Sequence, residues 1–474
     1  MAILDIAILG LFLVVTLIVG MGHGRQVKSI KDYALGGKNF STITLTSTIV
    51  ATYASGGGFF IELENTYTQG LYYLIAMMGV PLGIWLSGQL TMQMQDFMHH
   101  VSVAEAIGSI YGRTVQIITA CSCVIAKVGL VAIQFKAMAK MLEVIFNIEG
   151  TLGTCLAAII VIAYSSFGGV KAVTFTDVFQ FVTFGLVLPT LAAITWTRAK
   201  IPASFAWADY PNFDLQQVMG NTPQLMSCLG LMIYVTFALV LTPPAFQRIA
   251  MARNIEQARQ AFKWATGINS LIILMACGMS TLLLIAHPGL EKSQVVPTLI
   301  NTYVPVGLKG LLGAGVMALA MSTADSHLNA LSVIFANDLV KPLTQQAQAS
   351  VKTARSFSVF IGGSALLPAL YSTDFLKLLL LSGSLYMPVL TVPLLLSILR
   401  FRTSSRVVIM AMAAGFITVV VWSLVYTNAD SIVPGMLANL SVLLGMHYLL
   451  GEPGGWQKPA ADDPLVLERA ARRD

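Results

Sequence analysis

Residues 50–62 read VATYASGGGFFIE, so three consecutive glycines, Gly56, Gly57 and Gly58, interrupt a stretch otherwise apolar enough to enter a bilayer. Glycine costs a helix roughly 1 kcal/mol per position relative to alanine. A backbone group left unpaired in hydrocarbon costs several kcal/mol. A membrane span tolerates such a run where it breaks against a buried polar cavity, or where two helices approach closely. The first reading predicts that the span unwinds at Gly56–Gly58 and turns freed carbonyls inward.

The rest of the chain supports a membrane setting. Of 474 residues, 56% are hydrophobic and only 11% charged, with a mean hydropathy of +0.76. A soluble chain carries about 25% charged residues. The composition therefore specifies an all-α polytopic membrane protein with the lipid bilayer as solvent. The five cysteines lie in apolar runs and read as small buried hydrophobes rather than a disulfide framework. Ile3–Met21 lacks a basic n-region and reads as a retained span, not a signal peptide.

A span needs about 20 apolar residues. About thirteen such stretches can be drawn by that rule, near 3–21, 41–63, 71–94, 115–141, 152–168, 173–198, 224–245, 262–286, 306–335, 354–370, 374–398, 405–426 and 431–450. Residues 1–450 thus form a single transmembrane domain, and 451–474 read as a polar, disordered tail. Alternate loops carry the basic residues: Arg25, Lys28, Lys31 and Lys38; Arg248, Arg253, Arg259 and Lys263; Lys341, Lys352 and Arg355; Arg400, Arg402 and Arg406; then Lys458, Arg469, Arg472 and Arg473. This distribution accounts for the net charge of +6 as topology, not nucleic-acid binding. It predicts an outside N-terminus and a cytoplasmic C-terminus in a cytoplasmic (inner) membrane. The second span is interrupted at Gly56–Gly58 and the seventh ends at Pro243-Pro244. The two interruptions are offset by five spans, as in carriers built from inverted repeats.

Ionisable residues inside spans are functional candidates. AMSTADSHLNA (320–330) lies in the ninth span. At 100° per residue, Leu319, Ser322, Thr323 and Ser326 fall within an arc of roughly 100°, with Asp325 at its edge. Hydroxyls, carbonyls and a carboxylate suit a hard cation such as Na⁺; the bland alternative is hydroxyls bonding their own helix. GGVKAVTFTDVFQF (168–181) sets Thr174, Asp177 and Gln180 in one polar stripe, with Lys171 a potential ion-pair partner for Asp177. Gly168 and Gly169 read as a tight turn between spans. Glu62 and Glu64 read as vestibule residues at the outer end of the second span. Lys136 and Lys140 can snorkel, whereas Lys127 stands too deep. His99 and His100 read as solvated, and His327 as a candidate for proton linkage. GGKN (36–39) is no phosphate loop, because Asp32 stands where the first glycine is needed. No nucleophile–base pair or metal motif is present, so the chain reads as a non-enzyme.

At these stretches the chain resembles the sodium:solute symporter family. DYALGGKNF (32–40), ATYASGGGFFIELENTY (51–67), GGVKAVTFTDVFQ (168–180), PPAFQRIAMARNIEQARQAF (243–262) and GAGVMALAMSTADSHLNALSVIFANDL (313–339) carry the resemblance in family order. It implies a LeuT-type fold of two inverted five-helix repeats, about 41–198 and 224–398, and Na⁺-coupled uptake of a small organic solute by alternating access. The implied sodium site uses carbonyls of Ala51, Ala54 and Leu319 with hydroxyls of Ser322 and Thr323. A second cation site, found in some members, would use Asp177, Ser322, Asp325 and Ser326. Asp325 stands where some members have serine. The implied solute site involves Tyr53, Ser55, Gly56, Gly57 and Gln134. ATYASGGGFF is most similar to the choline-transporter branch, yet Leu130 and Thr242 stand where cage tryptophans are expected. An amino acid, a choline-like amine and an organic acid all stay open as solutes. A proton-coupled carrier and a transporter-like sensor remain the alternatives.

Overall fold

The computed structural model describes residues 3–22, 27, 29–202, 205–372, 374–426 and 431–457. Arg25, Lys28 and the basic residues from Lys458 onward lie outside them. The long helices, in chain order, are α1 (Ile3–Gly22), α2 (Thr42–Tyr53), α3 (Gly56–Gln69), α4 (Leu71–Gln93), α5 (Arg113–Phe146), α6 (Gly150–Ser166) and α7 (Gly168–Arg198). They continue with α8 (Thr222–Leu239), α9 (Pro243–Met251), α10 (Ile255–Ala286), α11 (Lys309–Ile334), α12 (Val351–Tyr371), α13 (Phe375–Ile398), α14 (Ser405–Val425) and α15 (Ile432–Leu449). Among the described residues, nine of these are long and apolar enough to cross a membrane. The other four expected spans are also helical. The second is broken, the fifth is short, and the ninth and tenth carry too many polar residues to qualify on hydropathy.

The second span does break, but beside the expected position rather than at it. Its glycines are helical: they form the first turn of α3, and the break lies at Ala54–Ser55. Ser55 caps α3, its hydroxyl accepting from the Gly58 N–H at 2.8 Å. In an unbroken helix that N–H would bond the Ala54 carbonyl, so the cap frees this carbonyl. The glycines permit close packing instead. A Cβ on Gly56 would stand 2.6 Å from the Ala320 Cβ, and one on Gly57 would stand 2.0 Å from Ile133 Cγ2.

The seventh span breaks between α8 and α9, at Val240–Thr242. Leu241 is held at φ +53°, a left-handed conformation that costs a residue with a Cβ roughly 1–2 kcal/mol. Thr242 then caps α9, and Pro243 opens it, where its missing N–H is not needed. The carbonyls freed at this break are satisfied by tyrosines: Tyr53 donates to Leu239 O at 2.8 Å and Tyr386 to Leu241 O at 3.3 Å. The turn expected at Gly168-Gly169 is present. Gly169 has φ +62°, and a Cβ there would meet Tyr33.

The first helix of each five-helix unit is therefore the broken one. α11 runs through the centre, every residue from Leu312 to Ile334 buried, and packs on α5 and on α6–α7. α14 and α15 pair with each other at the side, against the π-helical turn Met387–Thr391 of α13. Two expectations are corrected here. Residues 451–457 are not a free tail: Gly455–Trp456 (β2) pairs antiparallel with Phe401–Arg402 (β1). The remainder of the expected tail, 458–474, lies outside the described residues. Cys121 is exposed rather than a buried hydrophobe.

Candidate functional site

The helix breaks bring backbone oxygens against the polar face of α11. Ser322 Oγ lies 2.8 Å from Ala51 O and 3.0 Å from Leu319 O. Thr323 Oγ1 lies 3.1 Å from Leu319 O and 3.2 Å from Thr52 O. Four groups of the expected sodium set thus converge between α2 and α11, and the fifth, Ala54, stands at the break with its carbonyl released. These are buried, uncharged oxygens, the donor set a hard monovalent cation takes.

One turn further toward the α2 N-terminus lies a charged cluster. Asp177 on α7 is fully buried and accepts from Arg248 Nη2 at 3.1 Å and from the Thr48 hydroxyl. Arg248, with 1% of its side chain exposed, also donates to Ser326 Oγ at 2.7 Å. Thr52 Oγ1 stands 3.1 Å from that hydroxyl. The basic character of Arg248 predicts a cytoplasmic loop position; the residue is instead the core of α9. Lys171 is not the partner of Asp177. Asp325 is held apart from the ion pair, accepting from Tyr164 OH at 2.8 Å and, more weakly, from Thr176 Oγ1 at 3.4 Å.

The cluster is not saturated. Asp177 Oδ1, Asp325 Oδ1 and both amide atoms of Gln180 are buried without a hydrogen-bond partner. With both carboxylates ionised, two negative charges face one guanidinium, which leaves one negative charge uncompensated. Buried charge of this kind demands a cation or a proton. The residues of the expected second site are therefore together, but a side-chain cation already occupies the space between Asp177 and Ser326.

Beside these groups is a cavity of about 130 Å³, roughly ten times the room one water needs. Tyr53 and Ser55 line it, as do Leu130 and Thr242, where the choline-like resemblance calls for aromatic rings. Gly56, Gly57 and Gln134 lie behind the wall: Gln134 Oε1 accepts the Gly57 N–H at 3.1 Å, pinning the start of α3 to α5. Sequence reasoning does not assign Lys127, Glu62, Tyr73 or Tyr234 to the cavity, although all four line it. Glu62 lines this cavity rather than a vestibule; Glu64 lines a separate cleft, with Lys136, Lys140, Lys292 and Asp374. There Lys292 and Asp374 pair at 2.8 Å. Partial burial alone would raise the Asp374 carboxyl, but Lys292 and the Lys377 N–H hold it below its usual value.

Comparison with known proteins agrees with this architecture. Residues 33–415 match the sodium:solute symporter family. The chain belongs to that family. It is a multi-pass membrane carrier, a sodium-coupled symporter and not an enzyme. The symporter is 25% identical to the sodium/pantothenate symporter of Haemophilus influenzae, over 94% of this chain and 90% of that one. It is 24% identical to the high-affinity choline transporter 1 of Caenorhabditis elegans, over 74% of this chain and 65% of that longer protein. Its fold matches a Na⁺-coupled sialic acid symporter solved in a substrate-bound outward-open state, with a TM-score of 0.80 at 19% identity, covering 96% of this chain and all of that one. The near-equal identity to pantothenate and choline carriers assigns no branch.

Proposed function

We propose that this protein imports a small organic solute across a cytoplasmic-type membrane, with its N-terminus outside, driven by sodium bound between α2 and α11. The observation that carries this reading is the meeting of Ala51 O, Leu319 O, Ser322 Oγ and Thr323 Oγ1 beside a solute-sized cavity. The oxygens come from two helices in opposite halves of the fold. A cation held by both favours the state in which they touch, and that differential affinity is what couples ion to conformation. Thr52 and Thr323 line the cavity as well as the ion site, so solute and ion share a wall. A membrane potential of 100 mV contributes about 2.3 kcal/mol per charge, nearly two decades of accumulation per sodium.

The test is uptake into proteoliposomes under imposed ion gradients. Accumulation should need inward sodium, and Ser322→Ala with Thr323→Ala should raise the sodium concentration for half-activation at least tenfold. Equal accumulation from a proton gradient without sodium would overturn the reading. A proton-coupled second reading has its own support, the uncompensated charge shared by Asp177, Asp325 and Arg248. Under that reading Asp325→Asn abolishes uptake driven by protons and leaves sodium binding intact.

A further inference from the structure

Lys127 sits fourteen residues into α5, about 21 Å along its axis from the N-terminal end. Another 19 residues, about 29 Å, follow it to the other end, so Lys127 lies deep within a helix long enough to span the hydrocarbon core. The side chain is 5% exposed, and that exposure is to the cavity, which Lys127 lines together with Leu130 one turn on. Among the described residues it has no ion pair and no hydrogen bond; its Nζ stands 4.5 Å from the centre of the Tyr386 ring. A ring face returns only part of what it costs to take an ammonium out of water. Cys123, a turn earlier on α5, brings no formal charge. Glu62 lines the same cavity but forms no salt bridge with Lys127.

We infer that Lys127 is the specificity-determining contact for the carboxylate of the transported solute, so that the symporter takes small carboxylate-bearing molecules and rejects cationic amines. The inference rests on the proposed solute cavity and deepens it. An intramembrane ammonium with no resident counter-ion is satisfied when a carboxylate arrives, and a charge-assisted hydrogen bond formed there is among the strong ones. Glu62, which lines the same cavity, then meets a donor on the solute: an ammonium, amide or hydroxyl. A quaternary amine is repelled by the Lys127 ammonium; Tyr53, Tyr73 and Tyr234 line the cavity, but Leu130 and Thr242 stand where the choline-like resemblance calls for tryptophans. An ammonium permanently paired within the fold would instead exclude any anion.

The experiment uses purified full-length protein in about 150 mM sodium, with thermal stability and competitive uptake as readouts. The probes are matched pairs that differ only at the carboxylate: pantothenate and panthenol, proline and prolinamide, N-acetylneuraminate and its methyl ester, betaine and choline. The expected result is stabilisation and competition by the acid of at least one pair, with its neutral or cationic twin at least tenfold weaker. Lys127→Met should weaken that acid roughly 10- to 100-fold while the melting temperature without solute holds or rises, because an unpaired buried charge is gone. The shift caused by sodium alone should persist in Lys127→Met. Loss of the sodium shift in the unmodified protein counts against the ion site, not against Lys127. Equal binding of both twins, a preference for choline, or unchanged acid affinity in Lys127→Met overturns the inference, as does a large fall in stability without solute.

Discussion

Arg248 carries the buried electrostatics around Asp177 and Ser326. A guanidinium 1% exposed and 3.1 Å from a fully buried carboxylate repays its desolvation only while both partners remain. Arg248→Met should therefore destabilise the fold by about 3–5 kcal/mol, leaving Asp177 charged and alone. The double variant Arg248→Met with Asp177→Leu should recover most of that loss, since replacing a buried pair by apolar side chains is often neutral. Denaturation in detergent measures both, and additive losses would show that the pair acts independently. The residue is invisible as a site in the sequence for a physical reason. A basic residue just past an apolar run reads as a topology signal, and only the break at Val240–Thr242 turns α9 back into the protein. Lys127 is the converse: its depth is legible, but what it faces depends on the packing of α5 against α3 and α13.

At the scale of the element, the two broken helices are held open by caps and by distant tyrosines. Tyr53 bonds Leu239 O and Tyr386 bonds Leu241 O, so each supplies a donor that the missing turn cannot. Tyr53→Phe should cost about 1–3 kcal/mol by orphaning a buried carbonyl. The effect should appear as faster hydrogen exchange confined to the C-terminal end of α8; unchanged exchange there would assign Tyr53 to the cavity alone. The glycine run shows what a sequence can and cannot disclose about such an element. A weak helix former repeated three times signals an interruption, and one lies beside it. Its cause is tertiary: Ser55 takes the cap, and Gly57 is glycine because Ile133 is 2.0 Å from where a Cβ would be. Gly57→Ala should destabilise by about 1–3 kcal/mol through overpacking. Ile133→Ala should partly restore it, and a failure of rescue would return the position to a conformational role. The polar arc of α11 is legible because helical periodicity is local; the partners it meets on α2, α7 and α9 are not.

For the whole molecule, the proposed sodium set would bridge the two structural halves rather than lie within one. Ala51 belongs to the first broken span and Leu319, Ser322 and Thr323 to the central helix, and these helices touch at the oxygens proposed to hold sodium, while α14 and α15 stand apart. Ion binding should therefore act on the relative position of the halves. A ligand that binds only the folded, assembled site stabilises by about 2.7 kcal/mol at a hundred times its dissociation constant. The melting temperature should rise with NaCl and not with KCl at equal ionic strength. Hydrogen exchange should slow at residues 50–55 and 319–326, with α14 and α15 unaffected. Protection spread evenly over all helices, or produced as well by potassium, would mean that ionic strength and not a specific site is responsible. Ser322→Ala supplies the internal control, since it removes one oxygen from the set without adding charge or bulk: it should abolish the difference between the two salts while leaving the stability in KCl within about 1 kcal/mol of the unmodified protein.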